Sequence, residues 1–337
     1  MTDPSASANA AGASAPPSCA ATTAVLIACL NEEKTIGKVV RDFLSADPGV
    51  TVYVFDNAST DGTARVAAEA GATVIPEYRR GKGWVVRSMF RRVEADIYVM
   101  VDGDDTYPAD EALAMRSYVL DRSADMVIGD RLSSTYFSEN TRRFHGVGNR
   151  LVRFLVDRFF DSDLHDIMTG CRCMSREFVK TMPILSHGFE IETEMSIHAL
   201  DKGFQIREVP VSYRDRGPGS ESKLNTYSDG MLVLRTVVRL FRDYRPMAFF
   251  GVVGLFVMLV SLAIAAVPLS DFLTRGFVSS LPTLVLAAGL GITSAVLLTC
   301  GILLDSILDQ ARQAYEFQLT MFREQDAARL AERCPIE

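Results

Sequence analysis

Ile97-Tyr98-Val99-Met100-Val101-Asp102-Gly103-Asp104-Asp105 is an apolar run that stops on a cluster of carboxylates. Its length and its Ile, Val and Tyr content suit a strand buried on both faces. Charge cannot continue into a buried sheet, so the acids belong at the strand's carboxyl edge, where open α/β sheets bind ligands. Two carboxylates one residue apart, Asp102 and Asp104, with Gly103 keeping the turn tight, can hold a hard divalent ion and leave positions open for a diphosphate. A solvated strand-to-loop turn gives the same local pattern, and the surrounding sequence decides between the two.

Strand-like and helix-like segments alternate on either side of this run. Ala24 to Ala28 reads as a buried first strand, followed by a turn at Leu30-Asn31-Glu32-Glu33. Thr35 to Ser45 carries Ile36, Val39, Val40 and Phe43 at helical spacing. Val50 to Phe55 reads as a second strand that ends on Asp56-Asn57-Ala58-Ser59-Thr60-Asp61-Gly62-Thr63, where Thr60 or Asp61 is placed to cap the Ala-rich helix that follows. Ala72 to Ile75 reads as a third strand, Lys82 to Glu94 as a helix, Ile97 to Val101 as the fourth strand and Met126 to Gly129 as the fifth. This rhythm predicts a doubly wound, mostly parallel sheet with right-handed crossovers. Asp56 and the Asp102/Asp104 pair then share one carboxyl edge. A dinucleotide fold would place Gly-x-Gly-x-x-Gly after the first strand, where Asn31-Glu32-Glu33 stands, and there is no P-loop. Negative charge at that turn suits hydrogen bonding to a base or ribose better than contact with phosphate.

The formal net charge of -7 over 337 residues argues against a general nucleic-acid binder. Six cysteines are scattered without zinc-type pairing and read as free thiols in a reducing compartment, and four histidines show no metal-ligand spacing. Residues 1–22 are rich in Ala, Ser and Pro and read as a disordered leader, lacking the basic start and apolar core of a secretory signal. Near the other end, 248–267 carries no charge, a length that gives about 30 Å of helix. A second uncharged stretch, Pro282 to Leu304, sets a second span at 280–304. Arg235, Arg239, Arg242 and Arg245 precede the first span, while the short link between spans carries Arg275 against Asp271. The positive-inside rule then places the large N-terminal domain and the 305–337 tail in the cytoplasm, on a two-helix transmembrane hairpin in the cell membrane. Two amphipathic stretches, 144–160 and 229–245, are either ordinary packed helices or lie at an anionic membrane surface.

Several motifs in order carry a resemblance to a known family: Ala28-Cys29-Leu30-Asn31-Glu32-Glu33, Asp56 to Thr63, Arg80-Gly81-Lys82-Gly83, Asp102-Gly103-Asp104, Gly129-Asp130-Arg131, Asp166-Ile167-Met168-Thr169-Gly170-Cys171-Arg172 and Ser220-Glu221-Ser222-Lys223-Leu224. They are similar to glycosyltransferase family 2, in its polyprenyl-phosphate branch, which includes dolichyl-phosphate mannosyltransferase and the bactoprenol glucosyltransferases. The chain departs from the family pattern at Ala28, often Pro, at Asn57, often a second Asp, and at Thr106, where some members carry Gln. The resemblance implies a GT-A domain over 23–228. It also implies inverting transfer of a hexose from a UDP- or GDP-linked donor to a membrane polyprenyl phosphate, with Mg²⁺ or Mn²⁺ as cofactor.

On that reading Asp102 and Asp104 hold the metal, which offsets charge developing on the leaving diphosphate. Ala28, Asn31, Glu32, Asp56, Lys82 and Gly103 join Asp102 around the nucleotide-sugar, and Asp104, Arg131 and Asp166 form the catalytic set. Arg131, Asn149, Arg150, Arg172 and Lys223 are candidates for the acceptor phosphate, since positioning a phosphate calls for cationic forks. Lys82, Arg172 and Lys223 have solvated or salt-bridged alternatives, and Glu32 and Glu33 an alternative as favourable charge at a helix start. No His base is required, because a phosphate monoester with a second pKa near ~6 is already a nucleophile at neutral pH. A processive polysaccharide synthase fits less well, since Trp84 is the lone tryptophan and lies in the donor region. A silent nucleotide-sugar-binding scaffold is the alternative from another class. Small residues in the hairpin (Gly251, Gly254, Ala287, Ala288, Gly289, Gly291) suit close helix packing, and the resemblance, to a family with tetrameric members, allows a homo-oligomer.

Overall fold

The computed structural model describes residues 21–131, 164–188, 190–214, 238–239, 241–278 and 280–333. Among these, β1 (Thr23–Cys29), β2 (Thr51–Asp56), β3 (Thr73–Pro76), β4 (Ile97–Asp102), β5 (Met126–Asp130), β6 (Arg172–Ser175) and β7 (Ile206–Pro210) form one sheet in the order β3-β2-β1-β4-β6-β5-β7. The apolar run that ends at Asp102 is its centre, with β1 on one side and β6 on the other. All pairings are parallel except those of β6, which runs against both β4 and β5. The sheet is therefore GT-A-like and mostly parallel, with one reversed strand that the sequence pattern does not announce.

The helices of this domain are α1 (Ile36–Ala46), α2 (Thr63–Glu69), α3 (Lys82–Arg92), α4 (Ala109–Ala114), α5 (Arg116–Leu120), α6 (Arg176–Thr181) and α7 (Ile191–Asp201). Strand alternation divides the core into two layers. Ala24 and Leu26 of β1 face a layer with Val85, Met89, Phe178 and Met195, while Val25 and Ile27 face one with Ile36, Val40, Phe43 and Leu113. The start of α2 differs from expectation: Gly62, not Thr60 or Asp61, is the flanking residue, but Asp61 still accepts from Thr63 N at 3.1 Å and so satisfies a helix-start donor.

Two long helices follow, α8 (Pro246–Arg275) and α9 (Leu281–Arg333), with windows of mean hydropathy 2.7 and 2.1, long and apolar enough to cross a membrane. Pro246 stands at the start of α8, and Gly276 (φ 74°) ends it in the left-handed region, donating to Phe272 O at 2.9 Å. The connection is thus shorter than the sequence suggests. Small residues let the two helices touch: Ser261 Oγ donates to Ala287 O and Ser294 Oγ to Gly254 O, each at 2.7 Å. Gly254 and Ala287 are therefore used inside the hairpin.

The helix that carries the 280–304 span extends beyond residue 304 into the 305–337 tail. The 53-residue α9 continues without interruption, and its second half packs on the sheet-bearing domain. Arg312, Tyr315, Leu319, Arg323, Asp326, Arg329 and Arg333 recur every three or four residues, which places them on one helix face. Tyr315 and Leu319 are buried in the core layer beside Phe178, and Tyr315 Oη lies 3.0 Å from Thr181 Oγ1 and 3.3 Å from His198 Nε2. The charged members pair with the domain: Arg312 with Asp201 (2.6 Å), Arg323 with Glu177 (2.6 Å), Asp326 with Arg176 (2.8 Å), and Arg329 and Arg333 with Asp96 (2.5 and 2.9 Å).

Candidate active site

The strand order turns back at β1 and β4, the point in an open sheet where a crevice opens at the carboxyl ends. Ala28 pairs with Asp102 across one side of β1, and Cys29 pairs with Asp56 across the other, so both acids stand at this crevice. Gly103 N donates to Ala28 O at 3.2 Å, and a Cβ at Gly103 would overlap Cys29 Sγ, so only glycine lets the acidic turn close onto β1. Thr35 Oγ1 secures the same turn through Gly103 O at 2.7 Å.

The turns after β1 and β2 are stitched together. Asn31, in the left-handed region (φ 54°), donates its N–H to Ser59 Oγ at 2.9 Å and accepts from Thr60 N at 2.8 Å. Glu32 N donates to Thr63 Oγ1 at 2.9 Å, and Asp56 Oδ1 accepts from Ser59 N at 3.3 Å. Glu32 and Asp56 are half-buried at this floor. Asn31 is thus a brace between loops.

Asn57 explains its own departure from the family pattern. Its buried amide donates to Glu77 O (3.2 Å) and Arg79 O (2.7 Å) and accepts from Gly81 N (2.8 Å), so it fixes the loop that delivers Lys82. An aspartate could not donate to the two carbonyls. Lys82, the first residue of α3, sends Nζ to Asp102 Oδ1 and Glu192 Oε1, both at 2.6 Å. Its side chain is 9% exposed and that of Glu192 7%. Burial alone would lower the ammonium's pKa, but Asp102 and then Glu192 overcome it and hold the lysine well above its usual range.

Asp104 is buried, with Oδ1 accepting from Thr106 Oγ1 at 2.7 Å. Asp105 (φ 61°) turns away and pairs with Lys38 at 2.6 Å and Arg214 at 3.4 Å. Among the described residues no three His, Cys, Asp or Glu side chains form a ready-made metal cage. The protein therefore offers two hard carboxylate donors, which suits a Mg²⁺- or Mn²⁺-type ion whose remaining positions go to phosphate and water. Asp102 already carries one cation, the Lys82 ammonium, so the position accepts positive charge.

One expectation, for Arg172, is corrected here. Asp166 is 0% exposed and accepts from Arg131 Nε at 2.8 Å, so it orients that guanidinium. Arg131 also donates to Met168 O at 3.2 Å. Burial opposes its charge, but Tyr107 and Asp166 outweigh that and raise its pKa further. Arg172, expected at a phosphate, is 0% exposed and donates to Thr169 O (3.2 Å), Ile167 O (2.7 Å), Glu192 O (2.9 Å) and Ser196 Oγ (3.0 Å). It is a rivet between the 167–170 turn and α7, still protonated at neutral pH though burial pushes it down to about 10. That turn covers the crevice closely: a Cβ at Gly170 would overlap the Asp102 carboxylate.

Sequence reasoning missed Glu192, Glu194 and Glu208. Glu194 accepts from Leu185 N and Ser186 N, each at 2.9 Å, and Glu208 accepts from His165 N (2.8 Å) and Asp166 N (2.9 Å). For Glu192 and Glu194, acids set in the apolar stretch Ile191 to Leu200 were the available signal, since acids in a buried helix demand partners. Asn149, Arg150 and Lys223, the amphipathic stretch 144–160 and most of 229–245 lie outside the described residues.

Residues 24–182 match the family model described as Glycosyl transferase family 2. Glycosyltransferase AglJ of Haloferax volcanii is 33% identical over 86% of this chain and 94% of that protein. The chain belongs to glycosyltransferase family 2. The family 2 chain is also 29% identical to the dolichyl-phosphate hexose transferase of H. volcanii, over 66% of this chain and 95% of that protein. Among solved structures, glucosyl-3-phosphoglycerate synthase from Mycobacterium tuberculosis, in complex with Mn²⁺, UDP and glucosyl-3-phosphoglycerate, superposes with a TM-score of 0.52 over 66% of this chain and 79% of that chain, at 22% identity. That likeness confirms the GT-A fold.

Proposed function

We propose that this glycosyltransferase moves a hexose, with inversion, from a UDP- or GDP-linked donor to a membrane polyprenyl phosphate. The observation that carries the reading is the Asp102-Gly103-Asp104 turn at the β1/β4 crevice of a chain that also carries two membrane-length helices. The relatives' names, a dolichyl-phosphate hexose transferase among them, support the same acceptor class.

Asp102 and Asp104 would hold Mg²⁺ or Mn²⁺, which when bound would supply electrostatic relief for the charge of the leaving diphosphate. Asp56 and Glu32 accept hydrogen bonds from the base and ribose, and Ala28, Asn31 and Gly103 shape the floor. Lys82 adds a positive charge beside the diphosphate. Arg131, fixed by Asp166, steers the acceptor phosphate, with Asn149, Arg150 and Lys223 as further contacts. The acceptor dianion is its own nucleophile, so the protein's task is to align it with the breaking bond and keep water out. The catalytic domain and both termini lie on the cytoplasmic side, where the Arg residues before α8 meet anionic lipid.

The test is purified protein in nanodiscs with a polyprenyl phosphate, Mg²⁺ or Mn²⁺, and a panel of UDP- and GDP-sugars, the lipid being followed by mass spectrometry. A lipid that gains one hexose, and fails to in chelator, supports the reading. Nucleotide-sugar binding with no lipid product from any donor refutes it and leaves a binding scaffold or a different acceptor.

A further inference from the structure

We infer that Glu192 is a positioning residue for Lys82: it draws the ammonium off Asp102 when a divalent cation arrives and holds it beside the donor diphosphate. This rests on the reading of Asp102 and Asp104 as the cation-holding pair. Lys82 Nζ lies 2.6 Å from a carboxylate oxygen of each partner, so one ammonium is shared between two anions. An ammonium and a dication placed together on Asp102 repel one another. The lysine must then move, and almost no solvent is available to receive it, its side chain being 9% exposed. Glu192 supplies the other half of its coordination, so the lysine can leave Asp102 without standing unpaired.

Glu192 is also held in place to do this. Its carbonyl accepts from Arg172 Nη2 (2.9 Å) and Ser196 Oγ (3.1 Å), and Arg172 in turn grips Ile167 O and Thr169 O at the turn over Asp102. Two residues on, Glu194 clamps the Leu185 and Ser186 amides, and His187 O in that loop accepts from Gly83 N at 3.2 Å, next to Lys82. The loop bearing the lysine and the helix bearing its second partner are therefore one braced unit. Without Glu192, Lys82 stays on Asp102 and competes with the metal.

The test is a double-mutant cycle on the full chain in detergent: wild type, Glu192→Gln, Lys82→Met and both together. Mn²⁺ binding is read by the loss of its free-ion EPR signal. Glu192→Gln is expected to weaken Mn²⁺ binding by ~10-fold and Lys82→Met to tighten it by ~3-fold, since the competing cation is gone. In the Lys82→Met background the Glu192 change should cost less than ~3-fold, because nothing remains to relocate. An equal loss in both backgrounds overturns the inference, for Glu192 would then act through general charge or through the fold. Glu192→Asp, which keeps the charge on a shorter arm, gives an intermediate value if the inference holds and stands in should the Gln variant fail to fold. A wild type that binds no Mn²⁺, with or without UDP or GDP, overturns the metal reading itself along with the inference. Wild-type binding with additive losses removes the Glu192 role alone.

Discussion

The two ends of the central strand β4 use charge in opposite ways. Before its first residue, one carboxylate, Asp96, is gripped by two guanidiniums, Arg329 at 2.5 Å and Arg333 at 2.9 Å. At its last residue one ammonium, Lys82, is divided between two carboxylates, Asp102 and Glu192. Positive charge exceeds negative at the first end, which makes a clamp for the polar half of α9. Negative exceeds positive at the second, which makes a place that favours a cation. Less than twenty ångströms of strand separate the two, by the ~3.3 Å rise per residue.

Asparagine at Asp102 or alanine at Asp104 should separate the ends most sharply. Transfer is expected to fall by about 10²–10³-fold in a lipid-product assay, with the melting temperature nearly unchanged. Asparagine at Asp96 should do the reverse, as described last. A loss of folding in both sets would erase the distinction.

Acid should act on the clamp end. Burial, and then Lys202, push His198 down to about 4 beside Tyr315 of α9. A folded value below the unfolded value of about 6.5 means the unfolded chain takes the proton first, so stability is intact above pH 6.5 and is lost as pH falls toward 4, by at most about 3 kcal/mol. Urea unfolding across that window should show the slope, and His198→Phe should flatten it. Asparagine 57 tests the other end by stability: Asn57→Asp replaces the donor to two carbonyls with charge, at an expected cost of about 2 kcal/mol and a raised KM for the donor. The smallest effect belongs to Asp96→Asn, about 1 kcal/mol in thermal or chemical unfolding and shrinking with salt, with little change in turnover. Two guanidiniums and the Thr22 contacts hold the Asp96 carboxyl below its usual range against burial, so its contribution is present above about pH 4 and fades below.

Much of the catalytic end was legible in sequence because it is local. Five strands, their helices and the acidic turn follow from short apolar periods and from charge that cannot enter a sheet. What escaped depends on distance along the chain or on concealment. Glu192 stands 110 residues from Lys82. Strand β6 is four residues long and opens on Arg172, a buried charge that looks like an exposed one until its carbonyl partners are seen. The α9 stripe mixes Tyr315 and Leu319 with arginines and aspartate, so it resembles a solvated helix; only its packing on the domain shows what it covers.

The unbroken course of α9 sets a phase relation between hairpin and enzyme. At about 100° per residue, a single residue inserted between Leu304 and Arg312 would swing the whole gripping stripe a quarter-turn or more out of line. Seven inserted residues would bring the stripe back to nearly the same bearing but about 10 Å farther along the axis. The start of α8 allows no such slide, because Tyr244 just ahead of it packs into the core layer that also receives Tyr315. Chain length between the apolar span and the stripe is thus a gear tooth count, and the two insertions separate bearing from reach.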